Sequence, residues 1–338
     1  MAKGPEVLVA GAGALGLATA LALADAGCRV TVCDPAPVGA NASGVAAGML
    51  APVFEAALDA RAEDHFDLLL AARDLWPGLA ARAGIALDRS GALAVGEADW
   101  LDKLEASARV RVTRLGGATA RGLAPGLSPA FGEALWSRED WRLDAMTSLA
   151  ALRSACEAGG VQFRDAAVQG RGDADLLVVA TGAAQGLAPE LSRLAPIKGH
   201  ILRLATGQPA GAVVRAADGY AAPWSGGLAV GATMEAGIGD PAVDPAKAAA
   251  LLAVAERLFP GAAAAPYELM AGVRAATADG LPLVGFSAAP GVLLAVGARR
   301  NGWLLAPLAA RIIAACATGG EAGPYATLLH PGRLLSPD

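Results

Sequence analysis

The chain has 338 residues, enough for a large apolar core and about two domains. Its 27 basic and 32 acidic residues leave a formal net charge of −5, which argues against nucleic acid or an anionic membrane as partner, since both attract basic patches. Cys28, Cys33, Cys156 and Cys316 form no C-x-x-C pair, and His65, His200 and His330 are equally scattered. Neither a disulfide framework nor a metal site is expected, and the expected compartment is a reducing cytoplasm. An anionic small molecule remains open as a ligand, because individual arginines can meet it.

The first element is a short apolar run, Val7 to Ala10, as suits a strand buried on both faces of a parallel sheet. Gly11, Gly13 and Gly16 follow at G-x-G-x-x-G spacing. In that pattern the first glycine permits a tight turn. The second lets a pyrophosphate approach the backbone, and the third lets the helix pack closely on the strand. A helix opening near Ala14 and Leu15 offers unpaired amides for phosphates and ends near Gly27. Arg29 to Cys33 reads as the second strand, and Asp34 stands at its end, 23 positions after Gly11. An acid there accepts hydrogen bonds from ribose hydroxyls and disfavours a 2′-phosphate, so NAD or FAD is expected before NADP. Val7 to Ala24 is also an uncharged run of eighteen, long enough to suggest a membrane span or a signal peptide. The glycines at nucleotide-turn spacing and the missing basic leader argue for a chain without a membrane span.

Ala42-Ser43-Gly44-Val45-Ala46-Ala47-Gly48-Met49-Leu50-Ala51-Pro52 is built almost wholly of small residues. Together with the preceding turn it resembles the glycine oxidase branch of the D-amino-acid oxidase family, FAD-dependent oxidoreductases in which this loop passes under the flavin. Only bare backbone can approach an isoalloxazine edge and donate amides to it. The resemblance implies FAD contacts at Gly11, Gly13, Ala14, Leu15, Gly16, Asp34, Pro35, Ala42, Ser43, Ala47, Gly48 and Met49.

Beyond Pro52 the chain turns helical. Phe54 to Leu58 leads into a helix over Ala60–Arg82, broken or kinked at Pro77-Gly78, with His65 at its boundary. Ile85 to Val95 reads as a hairpin turning at Arg89-Ser90-Gly91, Leu101 to Ala108 as a short helix, and Ala134–Trp136 and Trp141–Leu143 as strand fragments. Asp144 is placed to cap a helix over Ala145–Ala158. Val161–Phe163 begins a strand and Ala167-Val168 the next; the resemblance puts the Val168 backbone near the adenine side of FAD. Asp175 to Gly182 reads as a core strand ending in a small-residue turn. Ala195 to His200 marks the crossing into a second domain, where Ile201–Leu204, Ala212–Ala216, Gly219–Pro223 and Leu228–Val230 give short strands between Gly and Pro, as in a mostly antiparallel sheet. Asp244-Pro245 caps a helix over Ala246–Leu258.

Gly231-Ala232-Thr233-Met234-Glu235, Ala271-Gly272-Val273-Arg274-Ala275 and Asp279-Gly280-Leu281-Pro282-Leu283-Val284-Gly285 continue the resemblance. Gly297-Ala298-Arg299-Arg300-Asn301-Gly302-Trp303-Leu304 is similar to the family's final loop and helix, adding Ala298, Arg299, Asn301, Gly302, Trp303 and Leu304 to the implied FAD contacts. A planar guanidinium clamps a carboxylate with two parallel hydrogen bonds. By position, Arg274 and Tyr220 match the family's carboxylate-binding residues, and Arg300 a second arginine near substrate and flavin. The chain departs from the pattern at Ala298-Arg299, where a histidine and an aromatic are common, and at Trp224, where an arginine is common. Arg299 either favours an acidic substrate side chain or points to solvent.

The resemblance implies an α/β fold, a Rossmann-like FAD-binding domain (1–80, 140–194 and 271–338) with a substrate-binding domain on a mostly antiparallel sheet (81–139 and 195–270). It implies oxidative deamination of a small amino acid such as glycine, sarcosine or a small D-amino acid, with hydride passing to the flavin and no protein base at the α-carbon. Dioxygen would take the electrons as hydrogen peroxide, thiamine thiazole synthesis would be the pathway, and a homo-oligomer the assembly. A dehydrogenase passing electrons to a quinone or carrier, or a flavin-binding protein without catalysis, are the competing readings.

Overall fold

The structure, a computed structural model, describes residues 4–207 and 211–334. The strand Glu6–Ala10 lies inside a six-stranded sheet ordered Leu283–Phe286, Val292–Val296, Leu176–Val179, Glu6–Ala10, Arg29–Cys33, Gln162–Arg164. Its pairings are parallel except for Leu283–Phe286, which runs antiparallel to its neighbour. Val7, Val9, Val178, Val179 and Leu294 are all solvent-free, as strands covered on both faces demand. The uncharged run from Val7 is therefore split between a strand, a turn and the helix Ala14–Asp25. Among the described residues no helix is long and apolar enough to cross a membrane.

That first helix packs along Gly302–Thr318, a helix with Pro307 inside it. Proline removes the N–H that the Trp303 carbonyl would otherwise accept. The fully buried Trp76 supplies the missing donor, its Nε1–H reaching Trp303 O at 3.1 Å. The turn around Pro307 is thus tied to the Trp76–Ala83 helix, with the Trp303 carbonyl satisfied.

The second sheet has nine strands, ordered Glu235–Ala236, Ala195–Leu204, Gly227–Gly231, Gly219–Trp224, Val213–Ala216, Ala92–Ala94, Glu133–Ser137, Thr113–Gly116, with Tyr267–Ala276 also paired to Ala195–Leu204. All its pairings are antiparallel except Val213–Ala216 with Ala92–Ala94. The helix Ala248–Leu258 covers one face through Leu251, Val254, Ala255 and Leu258, a helical stripe. Tyr267–Ala276 pairs with Ala195–Leu204 over its full length and carries Arg274 to the seam between the two sheets.

Several expected elements change. The helix expected over 60–82 is three pieces, Ala60–Glu63, Phe66–Asp74 and Trp76–Ala83. Pro77 does not end a helix; it sits in the first turn of the third, where no N–H is needed. Residues 85–95 are not a hairpin. Ala92–Ala94 pairs instead with Glu133–Ser137 and Val213–Ala216, while Asp88 bridges to Arg142. Leu93 and Val95 are fully buried, and a two-stranded ribbon could not have covered them. No strand starts at Ala167-Val168: the stretch is a loop, with Val168 half-buried against the apolar cluster that includes Leu177 and Val179. The helix after Asp244 opens with a tight turn, Pro245–Lys247, before Ala248–Leu258. Asp144 caps Ala145–Ala158 as expected, accepting the Thr147 amide at 3.0 Å.

Candidate active site

The site grows from the first turn. Gly11 has φ +105°, and a Cβ there would lie 2.4 Å from the Ala180 carbonyl oxygen; one on Gly16 would lie 2.0 Å from the oxygen of Gly11. Strand, turn and helix meet without room for a methyl group. Ser43 completes the turn: its Oγ accepts the Ala14 amide at 3.0 Å, and its carbonyl accepts Trp303 Nε1–H at 3.0 Å. Asn41 caps the short turn Ala42–Val45 by accepting the Ser43 and Gly44 amides, which keeps the small-residue loop against the glycine turn. Asp34 accepts the Ala12 amide at 2.7 Å through one carboxylate oxygen and Ala36 at 2.9 Å through the other. Each oxygen retains a second lone pair for a hydroxyl. Pro35 is exposed beside it.

A narrow cavity of about 120 Å³ runs from Gly13, Ala14 and Leu15 past Ala42 and Ser43 to Ala298, Arg299, Gly302 and Trp303. It adjoins a larger one of about 390 Å³, with Arg274, Arg300 and Trp303 lining both. Ala47, Gly48, Met49 and Asn301 line the larger cavity, while Leu304 is buried behind the wall. Gly48 has φ +71°, and a Cβ there would strike the Leu143 oxygen at 2.1 Å. Small residues, capped amides and a channel from glycine turn to cavity fit an extended dinucleotide. Val168 stays apart on its loop and lines neither cavity.

At the far end the chemistry passes to side chains. Arg274 stands over Gly199, where a Cβ would come within 2.4 Å of Nη1. Its guanidinium meets only the Thr233 carbonyl, at 3.5 Å, and the Met234 sulfur, at 3.3 Å. No carboxylate faces it among the described residues. Burial pulls its pKa down, with the nearby Tyr220 acting in the opposite sense. Thr233 is itself braced by His200. The Asp244 amide donates to His200 Nε2 at 3.0 Å, so Nδ1 carries the hydrogen and points at Glu235 Oε1, 3.0 Å away. Tyr220 lines the same cavity as Arg274. Burial raises its pKa, against the lowering pull of Arg274.

Arg300 reaches the cavity but is shared between Glu55, at 3.2 Å, and Asp59, at 3.4 Å. Arg299, in the left-handed region at φ +49°, neither points to solvent nor enters the larger cavity. Its guanidinium is bonded to Asp59, which also caps Ala60–Glu63. Burial would raise the Asp59 pKa, but the Arg299 hydrogen bond and charge hold it below the ordinary carboxylate range. Trp224 lies outside both linings, under the Arg203 guanidinium. Glu55, Trp100, Arg215 and Met234 line the larger cavity, and none of them was singled out from the sequence as a site residue. Arg215 lies within an expected strand, but its place opposite Tyr220 comes from the strand register.

A parallel sheet with a glycine turn, joined to an antiparallel sheet across a cleft, defines a dinucleotide-dependent oxidoreductase. Residues 6–316 match the family described as FAD dependent oxidoreductase, and the chain belongs to it. ThiO of Rhizobium etli, named for thiamine biosynthesis, is 33% identical, over 91% of this chain and 95% of its own. The bifunctional protein ThiO/ThiG of Synechocystis sp. is 30% identical over 98% of this chain but 54% of its own length. The chain thus spans about half the length of that bifunctional relative. The crystal structure of glycine oxidase from Geobacillus kaustophilus superposes with a TM-score of 0.85 at 27% identity, covering 97% of this chain and 99% of that one.

Proposed function

We propose that the protein oxidatively deaminates a small amino acid to its imine, which hydrolyses to the 2-oxo acid, with dioxygen reduced to hydrogen peroxide. The observation that carries this reading is Arg274, a guanidinium with no carboxylate in ion-pair contact among the described residues, in a cavity that continues the nucleotide channel. Arg274 and the Tyr220 hydroxyl hold the substrate carboxylate, and so fix the α-carbon relative to the small-residue loop at Ala47–Met49. Arg300, restrained by Glu55 and Asp59, closes the side of the cavity. FAD, when bound by the glycine turn and Ala42–Ser43, supplies the two-electron oxidation. The chain supplies position and exclusion of water, and needs no base at the α-carbon.

Names borne by similar proteins, glycine oxidase and ThiO, support glycine as substrate and thiamine thiazole synthesis as setting. The domain division 1–80, 140–194 and 271–338 against 81–139 and 195–270 is supported by the sheets. All six strands of the first sheet fall in the first set, and among the described elements only the strand Tyr267–Ala276 and the helix Trp76–Ala83 straddle a boundary. A cytoplasmic homo-oligomer completes the proposal.

The test is to mix the yellow protein anaerobically with glycine, sarcosine and D-alanine. Bleaching by one of them, with colour and peroxide returning in air, is expected. A flavoprotein bleached by no amino acid overturns the reading, and one bleached but indifferent to air is a dehydrogenase.

A further inference from the structure

We propose, resting on the reading above, that the preferred substrate is an amino dicarboxylate, its distal carboxylate bound by Arg215. The position follows from sheet register. Arg215 and Tyr220 are directly paired across adjacent antiparallel strands, so their side chains leave the same face of the sheet, side by side. The register continues from Tyr220 through Gly231 and Ile201 to Met270, and Arg274 lies four positions along that last strand, on the same face. Arg274, Tyr220 and Arg215 therefore form a row, with Arg215 one side chain beyond the α-carboxylate clamp, and all three line the same cavity.

The charge balance points the same way. Three guanidinia, Arg215, Arg274 and Arg300, line this cavity with two carboxylates, Glu55 and Asp218. Asp218 is bonded to Arg257, which is not part of the wall. Of the lining carboxylates Glu55 is left to face the three, and one of its oxygens serves both Arg300, at 3.2 Å, and Arg215, at 3.6 Å, while Asp59, outside the lining, shares Arg300 at 3.4 Å. Asp140, near enough to feel the Arg215 charge, is buried and already accepts the Val53 and Phe54 amides. The Arg215 side chain is only 4% exposed, and among the described residues its Nε–H has no acceptor. A guanidinium so enclosed and short of acceptors suits a second carboxylate. Glycine would leave it empty. Arg299, the other candidate for this role, is spent on Asp59.

The experiment compares kcat/KM of the holoprotein for both enantiomers of aspartate and glutamate with that for glycine and lysine. One acidic substrate is expected to exceed glycine by at least about tenfold. Arg215→Met is expected to cut that acidic-to-glycine ratio by about 30-fold or more, while Arg215→Lys keeps part of it. Calorimetric binding of succinate against propionate repeats the test without turnover, since the two probes differ by a distal carboxylate. Wild type is expected to favour succinate, and Arg215→Met to lose the difference. A ratio unmoved by Arg215→Met, equal binding of the two probes, or a preference for lysine, which would hand the position to the free Glu55 oxygen, each overturns the proposal. A protein oxidising glycine alone sinks the dicarboxylate but keeps the amine oxidation; one oxidising no amino acid sinks both.

Discussion

At the nucleotide end of the cleft, from Gly11 to Gly48, recognition is left to backbone, and the side chains are reduced until little remains. At the substrate end it is left to guanidinia, a phenol and a carboxylate, delivered from Arg215, Arg274, Arg300, Tyr220 and Glu55. The first end is intolerant of added atoms: four glycine Cβ positions, at 11, 16, 44 and 48, would sit within 2.4 Å of a carbonyl oxygen. The second is intolerant of lost charge, because Glu55 and Arg215 are nearly sealed from water and Glu55 also pairs with Arg300. Steric exclusion builds one end and electrostatic pairing the other, and they should fail differently.

Arg274→Met tests the charged end most severely. Removing a buried carboxylate partner costs about 2–5 kcal/mol, some 30-fold to several thousand-fold in substrate affinity. The expected result is a large rise in KM with the yellow spectrum intact; unchanged kinetics would remove the carboxylate assignment. Gly16→Ala attacks the other end. The methyl group must displace the Gly11 carbonyl, so a loss of about 1–3 kcal/mol in stability is expected, together with poor FAD retention, both visible in a flavin-fluorescence melt. If FAD stays bound and the melt is unmoved, backbone crowding is not what shapes the turn.

Arg299 and Asp59 join the two ends, and the pair should behave as one unit. Arg299→Met and Asp59→Asn, alone and together, are expected to show a coupling of about 1–2 kcal/mol in denaturant unfolding. Additive losses would make the contact incidental. The smallest effect concerns pH. Burial pushes the Asp140 pKa up to about 6, against the pull of Arg215 and the Phe54 and Val53 amides. Between about pH 4 and about pH 6 the folded protein holds a proton that the unfolded chain has released, so this group's contribution to stability falls as pH rises, then levels off. Asp140→Asn should flatten that slope; a slope that persists unchanged assigns it to other groups.

Much of the nucleotide end was legible because its determinants are local. A strand, a turn needing φ above zero and a helix that must come close are written within eleven residues, Glu6 to Gly16, and the caps Asp144 and Asp244 act within three residues of themselves. Residues 85–95 misled for the opposite reason. Their alternation is genuine, but the strands that satisfy it, Glu133–Ser137 and Val213–Ala216, come from far along the chain. Val168 failed as a strand because the exposed residues around it offer no apolar face to bury.

From sequence alone came the family, the parallel sheet opening on a glycine turn, the small-residue loop and the candidate pair Arg274 and Tyr220, since each rests on residue type at short spacing. Only the fold decided which charges are free. Arg299 and Arg300 are neighbours in the chain, and Asp59, 240 residues from Arg299, draws on both, while Arg274 forms no ion pair among the described residues and Arg215 is set beside Tyr220 by strand register. A guanidinium looks the same in sequence whether paired or not; its availability depends on which carboxylate the packing brings within about 4 Å.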